Sequence, residues 1–195
     1  MTYDREDINM NREREKTSAY KICMVAVAIC INLIGGQLAL LLKLPVYLDS
    51  IGTVLIASVL GPFYGMLPNL LSGLIMGMTV DVYSLYYAPV GIILGFVTGL
   101  VYKKCHPKKG WILLAAIIIT IPSTIVSSCI TAFLFGGITS SGSSILVQIL
   151  AKTPLGMVGS CFVVQFITDY IDRVICLFVV AAMTKVLSKR MKESF

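Results

Sequence analysis

The stretch WILLAAIIITIPSTIVSSCITAFLF, residues 111–135, carries no charged side chain over its 25 positions. A helix needs about 20 predominantly apolar residues to cross the hydrocarbon core of a bilayer. Two further apolar runs, 22–42 and 51–80, also reach that length. The sequence therefore predicts membrane-spanning helices.

The composition of the chain also indicates a lipid environment. Of the 195 residues, 57% are hydrophobic and 13% are charged, and this charged share is about half that of an average soluble domain. We therefore expect an all-α membrane protein. The first apolar run follows a polar segment and ends without a small-residue cleavage site, so it is interpreted as a retained helix and not as a signal peptide.

The apolar pattern predicts a six-transmembrane-helix bundle with helices at about 17–42, 48–61, 68–82, 88–102, 111–135 and 159–187. We expect one membrane domain over 17–187, between an N-terminal segment (1–16) and a tail (188–195). Helices two to four are short, with glycine and proline nearby. Irregular backbone at membrane depth is tolerated where it lines a cavity or is buried in protein.

The basic residues indicate an orientation. With six spans, 13 of the 16 Lys and Arg residues lie on the side of both termini, Lys43 and Lys152 lie on the other, and Arg173 falls within the last helix. Because Lys and Arg are enriched in cytoplasmic loops, we expect a cell-membrane protein with both ends in the cytoplasm. The charges form no single basic stripe, which argues against nucleic acid as a partner.

The outer loops are then 43–50, 81–87 and 136–160. The last contains the flexible segment GGITSSGSS at 136–144, followed by a predicted short surface helix at 145–152. Connections of this length are often lids or binding loops, and a plain connector is the alternative.

The last predicted helix carries three charges on one face near its outer end, Asp169, Asp172 and Arg173. Charged residues at membrane depth usually face the bundle interior or a wet cavity. They indicate a binding site. The structural alternative is an intrahelical Asp169–Arg173 pair, with Asp172 tying the helix to a neighbour.

Other polar and aromatic residues converge on the same side. Asp49 has an alternative as a helix N-cap, Asp81 as a solvated loop residue, and each tyrosine as part of an interfacial belt. Asn32, Gln37, Asn69 and Gln165 lie within spans, where hydrogen bonding between helices is the default. Together, carboxylates and tyrosines suit a planar, polar or zwitterionic organic molecule. The candidate substrate-binding residues are Tyr47, Asp49, Asp81, Tyr83, Tyr86, Tyr87, Gln165, Asp169, Asp172 and Arg173.

Several activities find no support in the sequence. There is no GxxxxGK[ST] phosphate loop, and the single histidine, His106, lies in a Lys-rich loop with no partner for catalysis or zinc. The six cysteines lie mostly within apolar runs and form no CxxC pair. We therefore expect no enzyme, no catalytic residue, no cofactor and no metal site.

The first helix has small residues at Ala19, Cys23, Ala26 and Cys30. This spacing lets another helix approach closely. It predicts a partner-docking face, with internal packing as the alternative.

The chain resembles the substrate-binding S component of an energy-coupling factor (ECF) vitamin transporter. The likeness is carried by LPVYLDSIGT at 44–53, GPFYG at 61–65 and TDYIDR at 168–173, within six spans that cover nearly the whole chain. The resemblance implies capture of a small organic micronutrient from outside, under the loops after helices one, three and five. It also implies a membrane coupling subunit and two ATPase subunits that hydrolyse ATP. In this family alanine pairs on the first helix often dock the coupling subunit, and here cysteine replaces one alanine in each pair. The alternative is a six-helix membrane sensor or assembly subunit without transport.

Overall fold

The described part of the chain is helical. The structure, a computed structural model, describes the backbone of residues 3–104 and 110–193 and the side chains of 18–104 and 110–185. Within it lie eight helices and no strand: α1 (Tyr3–Leu41), α2 (Ile51–Leu60), α3 (Pro62–Thr79), α4 (Tyr83–Tyr86), α5 (Ala88–Lys104), α6 (Ile112–Phe135), α7 (Ser143–Leu150) and α8 (Gly156–Glu193). The all-α prediction is thereby confirmed. The predicted positions of His106, Cys105 and the lysines at 108 and 109 lie outside the described residues.

Two helical segments, Ser18–Leu41 and Ile112–Phe135, are long and apolar enough to cross a membrane. Large apolar side chains are also exposed on the outside of the bundle, for example Leu41 at 79%, Met78 at 83% and Phe133 at 75%. Hydroxyl groups instead occupy the interior, where Thr120 and Thr124 are fully buried. The bundle is thus apolar outside and partly polar inside.

The apolar core lies where four helices meet. Val54 of α2, Leu94 of α5 and Ile119 of α6 are fully or almost fully buried, and they pack in one cluster with Leu177 of α8. This core lies beside the cavity described below: Leu94 belongs to the core and also lines the cavity.

α3 and α5 pack backbone to backbone along three glycines of α5. A Cβ atom at Gly95 would lie 2.1 Å from the carbonyl oxygen of Gly65, and one at Gly99 would lie 2.3 Å from the Cα of Pro62. At Gly91 it would lie 2.5 Å from Oδ1 of Asn69. Any larger side chain would separate the two helices, so this spacing fixes where α3 presents Asn69.

Several element boundaries differ from the predicted ones. α1 begins at Tyr3, well before the predicted start at 17, α2 begins at 51 and not at 48, and α8 ends at Glu193 and not at 187. α3 begins at Pro62 and not at Pro68, which lies inside the helix. The chain reverses between α2 and α3 at Gly61 alone, whose φ of +86° is readily adopted only by glycine. α8 begins at Gly156, earlier than the predicted 159, and the predicted surface helix is found at Ser143–Leu150.

Candidate binding site

A cavity lined by both polar and apolar groups opens at one end of the bundle. It consists of two chambers that share four residues of their walls: Tyr47, Asp49, Asn69 and Tyr87. The wide chamber lies between α1, α3 and the loops 42–50 and 136–142, and has about 750 Å³ of empty space counted out to its mouth. The narrow chamber reaches towards α5, α6 and α8, with about 450 Å³.

The roof is the loop 42–50 between α1 and α2. Two of its non-glycine residues, Lys43 (φ 48°) and Leu48 (φ 52°), adopt left-handed backbone conformations, which are uncommon for such side chains. The N–H of Leu48 donates to Oδ1 of Asp172 on α8 at 2.9 Å. This bond holds the strained turn and, with it, the neighbouring Tyr47 and Asp49.

Asn32 of α1 fixes the start of α2. Its Nδ2 donates to Oγ1 of Thr53 at 2.8 Å, and its Oδ1 accepts from the N–H of Gly52 at 2.8 Å. Asn32 is therefore an interhelical hydrogen-bonding residue, and it also lines the wide chamber. It joins the helix that precedes the roof to the helix that follows it.

A chain of polar contacts runs from α8 to the roof loop. Arg173 forms an ion pair with Asp172, and its Nη1 also donates to Oγ of Ser50 at 2.9 Å. The Ser50 hydroxyl in turn donates to Oδ1 of Asp49 at 2.9 Å. The Nε of Arg173 is buried without a partner in the described residues. The guanidinium thus connects α8 to the roof loop.

Hydroxyl groups of α6 hold the other polar residues of α8. Oγ1 of Thr124 donates to Oδ2 of Asp169 at 2.7 Å. The side chain of Gln165 accepts from Ser127 at 3.0 Å and donates to Thr131 at 2.5 Å. Thr131 also shares a short hydrogen bond with the hydroxyl of Tyr87. These bonds join α6 to α8, and they leave Oδ1 of Asp169 without a hydrogen-bond partner in the described residues.

The end of α6 anchors the tyrosines. The ring of Phe135 makes edge contacts with Tyr83 at 4.8 Å and Tyr86 at 5.3 Å between centroids, and a tilted contact with Tyr87 at 6.2 Å. Such pairs stabilise by about 0.5–1.5 kcal/mol beyond area burial. They fix the segment between α3 and α5 against the start of the loop 136–142.

The loop 136–142 lies over the mouth. Its Ser140 donates to Oδ2 of Asp81 at 2.8 Å, and that oxygen also accepts from Ser84 at 3.1 Å. A Cβ atom at Gly142 would lie 2.3 Å from the carbonyl oxygen of Lys43. The loop is thereby held against both neighbouring loops.

Tyr47 lies in the roof loop, beside the hydroxyls of Ser141 and Ser143. Burial, followed by the charge of Asp169, raises the pKa of Tyr47 to about 12. Burial likewise raises the pKa of Tyr87. Both phenols therefore stay protonated at neutral pH, and the Tyr87 hydroxyl donates to Thr131, whose own hydroxyl donates to the carbonyl oxygen of Ser127.

Most of the predicted binding residues come together here. Seven of them line the cavity: Tyr47, Asp49, Asp81, Tyr83, Tyr87, Asp169 and Arg173. Asp172 and Gln165 stand directly behind its walls, where they hold Arg173 and Thr131. Tyr86 is 47% exposed and packs on Phe135 without lining either chamber.

The structural alternatives have mixed outcomes. Capping by Asp49 was wrong, because Ser50 occupies the N-cap position of α2 and makes no side-chain cap. An Asp169–Arg173 pair was also wrong, since Arg173 pairs with Asp172. Asp172 does tie α8 to a neighbour, through Leu48. On α1 the predicted docking residues, Ala19, Cys23, Ala26 and Cys30, all lie exposed.

Sequence reasoning missed several wall residues. Ser50, Ser72, Ser84, Ser127 and the segment 139–141 contribute hydroxyls to the site. Serine and threonine are common throughout the chain, so the residue type alone does not indicate which of them line the cavity. Asn32 and Asn69 stood out as amides within apolar runs, and that signal was readable.

No group of three or more His, Cys, Asp or Glu side chains in the described residues is placed to hold a metal ion.

Compared with family models, curated proteins and solved structures, the chain shows no significant match. Its function is therefore inferred from the geometry of the cavity.

Proposed function

We propose that this protein is a membrane-embedded binding subunit that captures a small, water-soluble, vitamin-like molecule from outside the cell, the S component of an ECF-type importer. The observation that carries the proposal is the cavity at one end of the bundle, with polar and tyrosine walls and loops closing its mouth.

The apolar exterior supports a place in the bilayer. Contiguous exposed apolar surface is rare on soluble monomers, whereas lipid is a favourable solvent for side chains such as Leu41, Met78 and Phe133. The exposed cysteines Cys23, Cys30 and Cys129 belong to the same apolar surface.

The six spans are assigned to α1, α2, α3, α5, α6 and α8, and the short helices α4 and α7 to the outer loops. Contacts between helix ends support this alternation. The ends of α3 and α6 meet at the cavity through Asp81 and Ser140, whereas the α2–α3 turn at Pro62 packs against Gly99, near the basic end of α5 at Lys103 and Lys104. Because basic residues favour the cytoplasmic side, this arrangement supports a cavity that faces outside and termini that lie inside.

The length of α2 supports a binding site set into the membrane. Its 10 residues span about 15 Å, half of the roughly 30 Å hydrocarbon core. The roof loop therefore enters the bundle below the level of the neighbouring helix ends. A ligand held beside Asp49 would be shielded from bulk water.

Import needs energy from partners. The exposed small-residue face of α1 is the proposed contact for the coupling subunit, because small side chains allow close helix approach. We therefore expect a membrane coupling subunit and two ATPase subunits to be retained when the protein is purified from native membranes in mild detergent.

The matched variants are Ala26→Trp, on that face, and Leu38→Trp, on another exposed side of α1. Ala26→Trp should lose the ATPases, while Leu38→Trp should retain them. Consistent absence of ATPases from the wild-type preparation contradicts the transporter and favours a sensor or assembly subunit.

A further inference from the structure

The cavity walls carry an excess of negative charge. Three carboxylates line the two chambers, those of Asp49, Asp81 and Asp169, against one cation, Arg173. The other basic residues of the same end, Lys43 and Lys152, are exposed and line neither chamber. The imbalance is therefore greater in the cavity than at the surface around it.

Arg173 does not cancel this excess. Its guanidinium forms an ion pair with Asp172, which stands behind the wall, and its remaining bond from Nη1 goes to the hydroxyl of Ser50. With Asp172 included, four carboxylates face a single positive charge, that of Arg173. The lining carboxylates lack a cation of their own.

Asp169 is the side chain with the strongest need for a partner. It is only 5% exposed and lines the narrow chamber. Oδ2 accepts from Thr124, while Oδ1 has no hydrogen-bond partner among the described residues. A buried carboxylate is stable when it is paired or fully hydrogen-bonded. Asp49, in the same chamber wall, has one hydroxyl partner, Ser50.

We propose that the bound molecule carries a positively charged nitrogen group, a protonated amine or a cationic heterocycle, seated between Asp49 and Asp169. This inference rests on the proposed function. A metal ion fits poorly, since the described carboxylates form no cluster of ligands. The remaining walls of the narrow chamber, including Tyr47, Tyr87 and Leu94, present aromatic and apolar surface for an organic body.

The test uses fractions of a low-molecular-mass metabolite extract as the probe. The extract is separated at pH 7 on strong cation and anion exchangers. Each fraction is added to detergent-purified protein from which prolonged dialysis has removed any co-purified ligand. Thermal unfolding then reports binding, because a ligand of the folded state raises the unfolding temperature. We expect the stabilising activity to be retained by the cation exchanger.

Asp49→Asn and Asp169→Asn keep the shape and remove the charge. Each should weaken the response to the stabilising fraction by about 10- to 100-fold in the concentration required, since hydrogen bonds to charged groups contribute about 1.5–3 kcal/mol. Lys152→Gln, an exposed charge change outside the cavity, should leave it unchanged. Asp49 is only partly buried, so its variant stays informative even if Asp169→Asn unfolds.

The outcomes separate the two claims. Stabilisation by the anion-exchange or unretained fractions, with unchanged responses in both variants, overturns the cationic ligand and leaves a binding protein. Stabilisation by no fraction overturns the binding function itself.

Discussion

The carboxylate of Asp172 and the backbone N–H of Leu48 lie 2.9 Å apart, although 124 residues separate them in the chain. The bond joins the last helix to the strained turn of the roof loop. The same carboxylate pairs with Arg173, which contacts Ser50 at the start of α2. Asp172 is therefore a positioning residue that holds the cavity together from behind.

Asp172→Ala should destabilise the protein by about 3–5 kcal/mol, because removal of one partner of a buried ion pair leaves the other charge uncompensated. Asp172→Asn keeps an acceptor for the N–H of Leu48, so it should lower the stability of the protein by less. Unfolding in detergent measures both, with Lys152→Gln as the control. Wild-type stability of Asp172→Ala would show that the pair does not hold the fold.

The loop 136–142 is expected to act as a lid. In Gly142→Leu the new side chain collides with the carbonyl of Lys43, and overpacking of this kind costs about 1–3 kcal/mol. The loop should open and be cut faster by a broad-specificity protease. At Gly110 a Cβ meets nothing within 4 Å, so Gly110→Leu is the matched control. Equal cleavage of the loop in both variants would make 136–142 a plain connector.

The contact between α3 and α5 gives a third prediction. Gly95→Ala places a methyl group against the Gly65 carbonyl, and it should lower the free energy of unfolding by about 1–3 kcal/mol. At Gly73 the nearest atom lies at 3.5 Å, so Gly73→Ala should be neutral or stabilise by about 0.5–1 kcal/mol, as alanine does in a helix. The free energies of unfolding of the two variants are compared in detergent. If Gly95→Ala is as stable as Gly73→Ala, the close packing of α3 against α5 is refuted.

Orientation can be tested by thiol labelling. In intact cells, a membrane-impermeant maleimide should label Lys152→Cys, because the proposed topology places that residue outside. The wild-type chain and Lys104→Cys should react only after the membrane is opened. Labelling of Lys104→Cys in intact cells, with none of Lys152→Cys, would reverse the proposed orientation.

Local patterns predicted the helices but not all of their partners. The uncharged run at 111–135 became α6 almost to the residue, because segment length and hydropathy are local properties. The contact of α5 with α3 along Gly91, Gly95 and Gly99 was not predicted, and only the structure shows it. The helix start predicted at Pro68 was wrong, because α3 begins at Pro62. One proline removes a single N–H and need not end a helix.

The site was predictable in content and less so in detail. Clustering of Asp49, Asp81 and Asp169 followed from the expected topology. The pairing of Arg173 with Asp172 was not predictable, because adjacent residues do not usually face each other on a helix, whereas Asp169 lies at the favourable i, i+4 spacing. Arg173 and Asp172 are both also bonded to the roof loop, through Ser50 and Leu48. The serine contacts depend on distant segments in the same way.

Native mass spectrometry of the protein, gently purified from its own membranes, tests the cavity's function most directly. The account predicts a second peak, heavier than the chain by the mass of one small organic molecule, and its loss in Asp169→Asn but not in Lys152→Gln. A wild-type spectrum with the chain alone, or an adduct equally retained by Asp169→Asn and Asp49→Asn, would contradict a ligand bound in this cavity.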